Sequence, residues 1–306
     1  MKTTNSRRLR FSIYDVFSDV PMRGNQLGIV YDAGDLNTAT MQTIAREFNF
    51  PETIFLMDAS GPQNAARVRI FTPQQELPFA GHPTVGAAVA VGDEQGLRSI
   101  GHGRLVLEEA VGPVQCSVRF GAAGAFGQFD LPVIATPAAA SPSDEALAEA
   151  LNLEPSDIGF ENHRPSIYDG GLAYQLIPVR SLEAIGRAKP NAAVWEEVFN
   201  ENAGWSAYVY CRETVHADAS FHARMFAPQA GIPEDPATGS AVSSLVGAII
   251  AFDTPADGTH AYIIEQGIEM GRGSKIYLEL DMSAGQAMAG RIGGAVCAFA
   301  EGYLQC

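Results

Sequence analysis

Charge is scarce in this chain, and positive charge is scarcest. Charged residues make up 18% of the 306, where about a quarter is usual. Thirty-five acidic side chains against 20 basic ones leave a net charge of −15. That balance argues against nucleic acid or an anionic membrane as a partner, and it gives an acidic substrate no long-range attraction. Cysteine is equally sparse: Cys116, Cys211, Cys297 and Cys306 form no CxxC pair, as expected of reduced thiols in a cytoplasmic protein. Long hydrophobic runs are missing too. The best in the second half, Ala241 to Phe252, is too short to span a bilayer and carries two serines. The opening MKTTNSRRLR is polar and FSIYDVF is broken by Asp15, so no secretory leader is expected. The six histidines never recur at helical ligand spacing, there is no HExxH or GxSxG, and GHGRLV and GRGSKI fall short of a dinucleotide or P-loop signature. No metal and no cofactor are therefore expected. His216 and His222 flank strand-like sequence and read as structural or exposed.

What is abundant is apolar. Hydrophobic residues reach 46%, enough for a large core, and the length suits about two domains. The chain also echoes itself. RIFTPQ (Arg69 to Gln74) leads to FAGHPTVG, and RMFAPQ (Arg224 to Gln229) leads to EDPATGSA. His82-Pro83 and Asp235-Pro236 stand 153 positions apart, each followed by two residues, a glycine and a small apolar run. A strand, a turn and a helix start thus recur half a chain apart, the mark of two copies of one unit. Proline is favoured at the first helical position with a polar cap before it. His82 and Asp235 are therefore expected as the caps of two helices, where unpaired N–H groups and the helix dipole favour an anion. If the copies face each other about a pseudo-twofold axis, the two helix starts point into one cleft suited to a small carboxylic acid. Two ordinary helix starts with nothing bound are the plainer alternative.

The order of elements supports the same picture. FSIYDVF, LGIVYD, ETIFLM and ARVRIFT read as strands, while Met41, Ile44, Ala45 and Phe48 predict a helix with one apolar face. PTVGAAVAVG is small and apolar on every side, as in a helix wrapped by strands. RLVLEEA, VQCSVRF and FGQFDLP complete a first lobe over 1–131. The proline-spaced run Pro132 to Leu153 reads as an inter-lobe linker with a short helix starting near Ser143 or Asp144. Within 132–294 the order repeats: strands at YQLIPV, AYVYC and FHARMFA, a helix at NAAVWEEVFN, and an enclosed helix from about Pro236. AYIIEQG, KIYLEL, GQAMAGRIGG and AVCAFAEGYL close the chain as strands, the last (295–306) a candidate to rejoin the first lobe. The copies differ at one telling position. Aligning ETIFLM with SAYVYC sets Glu52 opposite Ser206, and the apolar neighbours in FPETIF suit a carboxyl whose proton affinity is raised toward the working pH. A surface glutamate at a strand start is the alternative.

These segments resemble the PhzF-like family of phenazine-biosynthesis isomerases, whose fold is that of diaminopimelate epimerase. The likeness runs through GNQLGIVYDAGDL with the AREFN helix, PETIF, RIFTPQQELPFAGHPTVGAA, PEDPATGSA and EQGIEMGRGSKI, nearly the whole chain. It implies an α+β fold of two pseudo-symmetric lobes, each a strongly curved, mostly antiparallel sheet around a central helix, with the active site between them, and it implies a homodimer. It also implies that Glu52 is the acid/base, that His82 and Asp235 line the cleft, and that Gly81, Gly239 and Ser240 contact the ligand. In the phenazine enzyme this set isomerises trans-2,3-dihydro-3-hydroxyanthranilate, the glutamate taking a proton from one ring carbon and returning it to another. The chain departs from the family at Gln26, where Pro or Ala is common, and at Gly271-Arg272-Gly273-Ser274, where GRPS is usual. These departures leave the substrate open.

Racemases of this fold are expected to carry a cysteine at each helix start, and neither motif here contains one. A single glutamate without a twin points instead to one base working on one face of a conjugated intermediate. Asp235 would hold a substrate amine or hydroxyl, His82 would polarise or donate to the developing enol, and Ser240 with its neighbouring N–H groups would take the carboxylate. The expectation is a cofactor-independent isomerase of a small amino or hydroxy acid. An amino-acid epimerase or dehydratase of the same fold and a non-catalytic acid-binding protein are the alternatives.

Overall fold

The computed structural model describes residues 8–122, 124–200 and 206–305. They fall into two compact units, Met1–Phe129 with Gly294–Cys306, and Asp130–Gly293. The strands of the first stretch are β1 (Arg8–Val16), β2 (Asn25–Val30), β3 (Glu52–Met57), β4 (Ala66–Phe71), β5 (Glu76–Leu77), β6 (His102–Glu109), β7 (Gly112–Gly121) and β8 (Gly124–Asp130). They are followed by β9 (Thr136–Ala139), β10 (Ser166–Asp169), β11 (Ala173–Pro178), β12 (Ala207–Cys211), β13 (Phe221–Ala227), β14 (Ile232–Asp235), β15 (Gly258–Gln266), β16 (Ser274–Ser283) and β17 (Gln286–Gln305).

In the first unit β1, β2, β3, β4, β6, β7 and β8 pair in that order, and β17 pairs with both β8 and β1, so eight strands close into a barrel. The pairs β2–β3 and β4–β6 are parallel, while β17–β1, β1–β2, β3–β4, β6–β7 and β7–β8 are antiparallel. The helix Gly81–Glu94 lies against β1, β2, β3, β6 and β7, and every residue from Gly81 to Gly92 is buried. Its lack of a polar face explains this: such a helix is stable only where apolar walls surround it. Glycine lets it approach them, since a Cβ at Gly86 would lie 2.4 Å from Leu27 Cδ2. The helix Thr38–Phe48 buries Met41, Ile44 and Ala45, as its periodicity predicts, and Asn37 caps it by accepting from the Thr40 N–H.

The second unit repeats this scheme. β9, β10, β11, β12, β13, β15, β16 and β17 pair in order; β11–β12 and β13–β15 are parallel and the other pairs antiparallel. The senses match those of β17, β1, β2, β3, β4, β6, β7 and β8 position by position. The enclosed helix is Gly239–Ala248, running on into a π-turn at Ile249–Asp253. A Cβ at Gly247 would fall 2.1 Å from the Tyr168 ring. Gly247→Ala is accordingly expected to destabilise by about 3 kcal/mol, a drop of roughly 6–12 °C in Tm that thermal unfolding by circular dichroism would register.

Three expectations about elements are corrected. Part of the supposed linker, Thr136–Ala139, is a strand paired with β10, because extended backbone accommodates its proline at a sheet edge. The helix at NAAVWEEVFN shrinks to Trp195–Val198. GQAMAGRIGG and AVCAFAEGYL form one continuous strand, β17, rather than two; Gly293 and Gly294 are not among the residues of positive φ, so they pass through it without a turn. Among the described residues no helix is long and apolar enough to cross a membrane.

Candidate active site

Glu52 opens β3 beside Leu27 of β2, and His82 is the second residue of the helix Gly81–Glu94. The first unit brings them together: His82 Nε2 lies 3.4 Å from Glu52 Oε2, with side chains 5% and 12% exposed. Burial drives the His82 pKa down from 6.5 to about 3, against the opposing effect of a hydrogen bond to the Gln26 backbone carbonyl. Nε2 has no hydrogen-bond partner, so the nitrogen that donates to Gln26 is Nδ1. In a neutral ring Nε2 is then an acceptor facing the glutamate. In this tautomer the nitrogen facing Glu52 carries no proton to give. Gln26 meets His82 through its main chain. Because the ring stays neutral, kcat/KM is expected to show no limb between pH 5.5 and 7.5. A limb there that vanished in His82→Asn would assign the ring a charge.

Neither His82 nor Asp235 is a helix cap. The first helix starts at Gly81 with Ala80 as its cap, which leaves Pro83 in the first turn, where its missing N–H is harmless. The second starts at Gly239 with Thr238 as its cap, and Asp235 is the last residue of β14, opposite Met225. The turn between them is held by buried side chains. Thr238 Oγ1 donates to Asp235 Oδ2 at 2.5 Å, and Gln266 reaches both ends of the turn. Ser274 Oγ donates to the Pro236 carbonyl. Asp235 is buried. Ser240 is half-buried, its hydroxyl 2.7 Å from the Tyr174 hydroxyl. The Tyr208 hydroxyl is enclosed with no hydrogen-bond partner; burial, then Tyr174 and Asp235, push its pKa well above the usual tyrosine value. Gly81 and Gly239 are both buried at their helix starts.

The sequence alone did not reveal a second echo, one that supports the start of each enclosed helix. In the matched ladders Arg67 pairs with Glu108 and His222 with Glu265, so Glu108-Glu109 corresponds to Glu265-Gln266. The first residue of each pair clamps a loop. Glu108 accepts from the N–H groups of Ser60 and Gly61 and from Asn64 Nδ2, which hold its pKa down at about 2. Glu265 accepts from the N–H groups of Val215 and His216 and from both imidazoles, at 2.6–3.0 Å. Burial alone would lower the pKa of His222, but Glu265 and Glu269 on either side of the ring hold it up at about 9. The second residue of each pair reaches the helix start: Gln266 meets Thr238, and Glu109 meets Thr84 at 2.7 Å. The signal was present in the sequence as LEEA and IEQG, Leu107 to Ala110 and Ile264 to Gly267, in the same register as the strands before them.

Two units of one repeated topology, each a curved sheet wrapped around a buried helix, define the α+β fold of diaminopimelate epimerase and its relatives. The chain belongs to the phenazine biosynthesis-like family, whose PhzC-PhzF model matches residues 14–302, and it is an enzyme of the isomerase type. An uncharacterised isomerase of Mesorhizobium japonicum is 46% identical over 297 residues, covering 96% of this chain and 98% of that one. The trans-2,3-dihydro-3-hydroxyanthranilate isomerase of Pseudomonas fluorescens is 32% identical over 302 residues, with the same coverage. The crystal structure of a Bacillus anthracis phenazine biosynthesis protein of the PhzF family aligns with a TM-score of 0.85 at 27% identity, covering 98% of this chain and 100% of that one.

Proposed function

We propose that this enzyme moves a proton within a small carboxylic acid of the trans-2,3-dihydro-3-hydroxyanthranilate type, without a cofactor, and that Glu52 is the only acid/base. The observation that carries this is the enclosed Glu52–His82 pair, 3.4 Å apart, with the facing imidazole nitrogen an acceptor. As a carboxylate, Glu52 takes a proton from a ring carbon, and the electrons of the broken C–H bond move into the conjugated system. The new carboxyl O–H then has His82 Nε2 as its partner. Returning the proton to a second carbon completes the shift, with no net change in oxidation state. Asp235 holds the amine or hydroxyl of the acid, and Ser240 with the N–H groups of the helix start at Gly239 takes its carboxylate. Gly81 lets the substrate approach the other helix start closely.

The test is NMR of trans-2,3-dihydro-3-hydroxyanthranilate with the enzyme in deuterated buffer. Product formation with deuterium at the receiving carbon supports the proposal. Inertness of this acid, alongside α-deuteration and stereochemical scrambling of an amino acid, would favour an epimerase. Silence across a panel of amino and hydroxy acids would favour a binding protein. The same reading takes the working form to be a cytoplasmic homodimer, which sedimentation equilibrium and cell fractionation would check.

A further inference from the structure

Gln266, the last residue of β15, is fully buried, and the sense of each of its hydrogen bonds is fixed by its partners. The Thr238 N–H can only donate, so the atom it meets at 3.2 Å is Oε1. The Asp235 main-chain carbonyl can only accept, so the atom it meets at 2.8 Å is Nε2. Two peptide groups of opposite polarity thus orient the amide, which is otherwise ambiguous. The same Nε2 lies 2.9 Å from Thr238 Oγ1. An NH2 group has one hydrogen for each of these two oxygens, so the Thr238 hydroxyl accepts from Gln266 and its own hydrogen is left for Asp235 Oδ2, at 2.5 Å. That distance is typical of a hydroxyl donating to a charged carboxylate. The chain beneath is closely packed: Gly267 has φ +76°, and a Cβ there would sit 2.5 Å from the Pro236 carbonyl oxygen.

We propose that Gln266 and Thr238 are positioning residues that hold Asp235 as an oriented anionic acceptor. The group of the substrate that meets Asp235 must therefore be a donor, an ammonium or a hydroxyl, and not a second carboxylate. This application to substrate rests on the functional reading above; the relay itself is a property of the protein alone. The first unit carries a matching device, Glu109 on Thr84. There the Thr84 hydroxyl has one hydrogen and two oxygens at 2.7 Å, the Ala80 carbonyl and Glu109 Oε1. Both contacts are satisfied when Glu109 is protonated and donates, as the amide of Gln266 does.

The test is a 13C NMR titration of the Asp235 carboxyl carbon in the substrate-free enzyme, the resonance assigned through Asp235→Asn. Thr238→Val keeps the shape and removes the hydroxyl. It is expected to raise the Asp235 titration midpoint by about one pH unit, roughly tenfold in proton affinity, while Thr238→Ser restores the wild-type midpoint. Should the valine variant fail to fold, Thr238→Ala serves instead: it too removes the hydroxyl that donates to Asp235, and the midpoint rises by a similar amount. A midpoint unmoved in whichever variant folds overturns the proposal. Turnover separates the relay from its use. If the midpoint rises and KM for trans-2,3-dihydro-3-hydroxyanthranilate rises about tenfold with it, both stand. If the midpoint rises and kinetics do not change, the relay stands and Asp235 is no substrate ligand.

Discussion

Glu52→Gln is expected to lower kcat by about a thousandfold, in the middle of the range for loss of a general base, while leaving Tm close to that of the wild type. The amide keeps the shape of the carboxyl, and its NH2 can donate to His82 Nε2, which accepts in the neutral ring. The substrate contacts proposed for Asp235 and Ser240 are untouched, so KM should change little, and a fall in kcat alone reports an interaction made only in the transition state. Deuterium uptake into the substrate should fall in proportion. Turnover in the variant within tenfold of wild type would remove Glu52 from the mechanism and return the functional question to the second unit.

The second large effect concerns stability rather than rate. Glu109 is buried, and burial raises its pKa from 4.5 to about 8. As pH rises above 4.5 the unfolded chain releases this proton, while the folded protein keeps it until about 8. Stability therefore falls as pH rises across that window and levels off above it. A shift of this size corresponds to about 5 kcal/mol at most. Glu109→Gln keeps a donor for Thr84 Oγ1 and removes the titration, at the cost of burying an amide. It is expected to raise Tm at pH 9 by roughly 5–10 °C, equivalent to about 2–3 kcal/mol, and to flatten the decline between pH 5 and 8. Thermal melts of both proteins across that range are the measurement. A parallel decline in the variant would place the pH dependence elsewhere.

The repeated strand–turn–helix and the apolar central helices were legible in the sequence because both rest on local signals: composition on all sides of a helix, and the echo of RIFTPQ in RMFAPQ. The helix starts were misplaced by a local rule that long-range bonds override. Pro236 lies in a turn because Gln266 of β15 holds Asp235 and Thr238 on either side of it and Ser274 of β16 holds its own carbonyl, and nothing in EDPATGSA reports those partners. Glu52 was marked by the absence of a twin, and the family resemblance gave it a role. The proton inventory of His82 was out of reach, since it depends on the Gln26 carbonyl, which belongs to β2 rather than to the helix. Tyr174 and Tyr208 read as ordinary strand aromatics, and only their hydroxyl environments set them apart.

The last strand also dictates an order of events. Arg8 pairs with Gln305, so the first unit cannot complete its sheet until residues far along the chain have been synthesised. Contacts of such sequence separation slow folding. Until β17 arrives, β1 and β8 each present an unpaired edge able to recruit other chains. Birth on the ribosome therefore leaves the unit that carries Glu52 and His82 dependent on residues that emerge much later. A nascent chain stalled before β17 would expose these edges to chaperones and to aggregation.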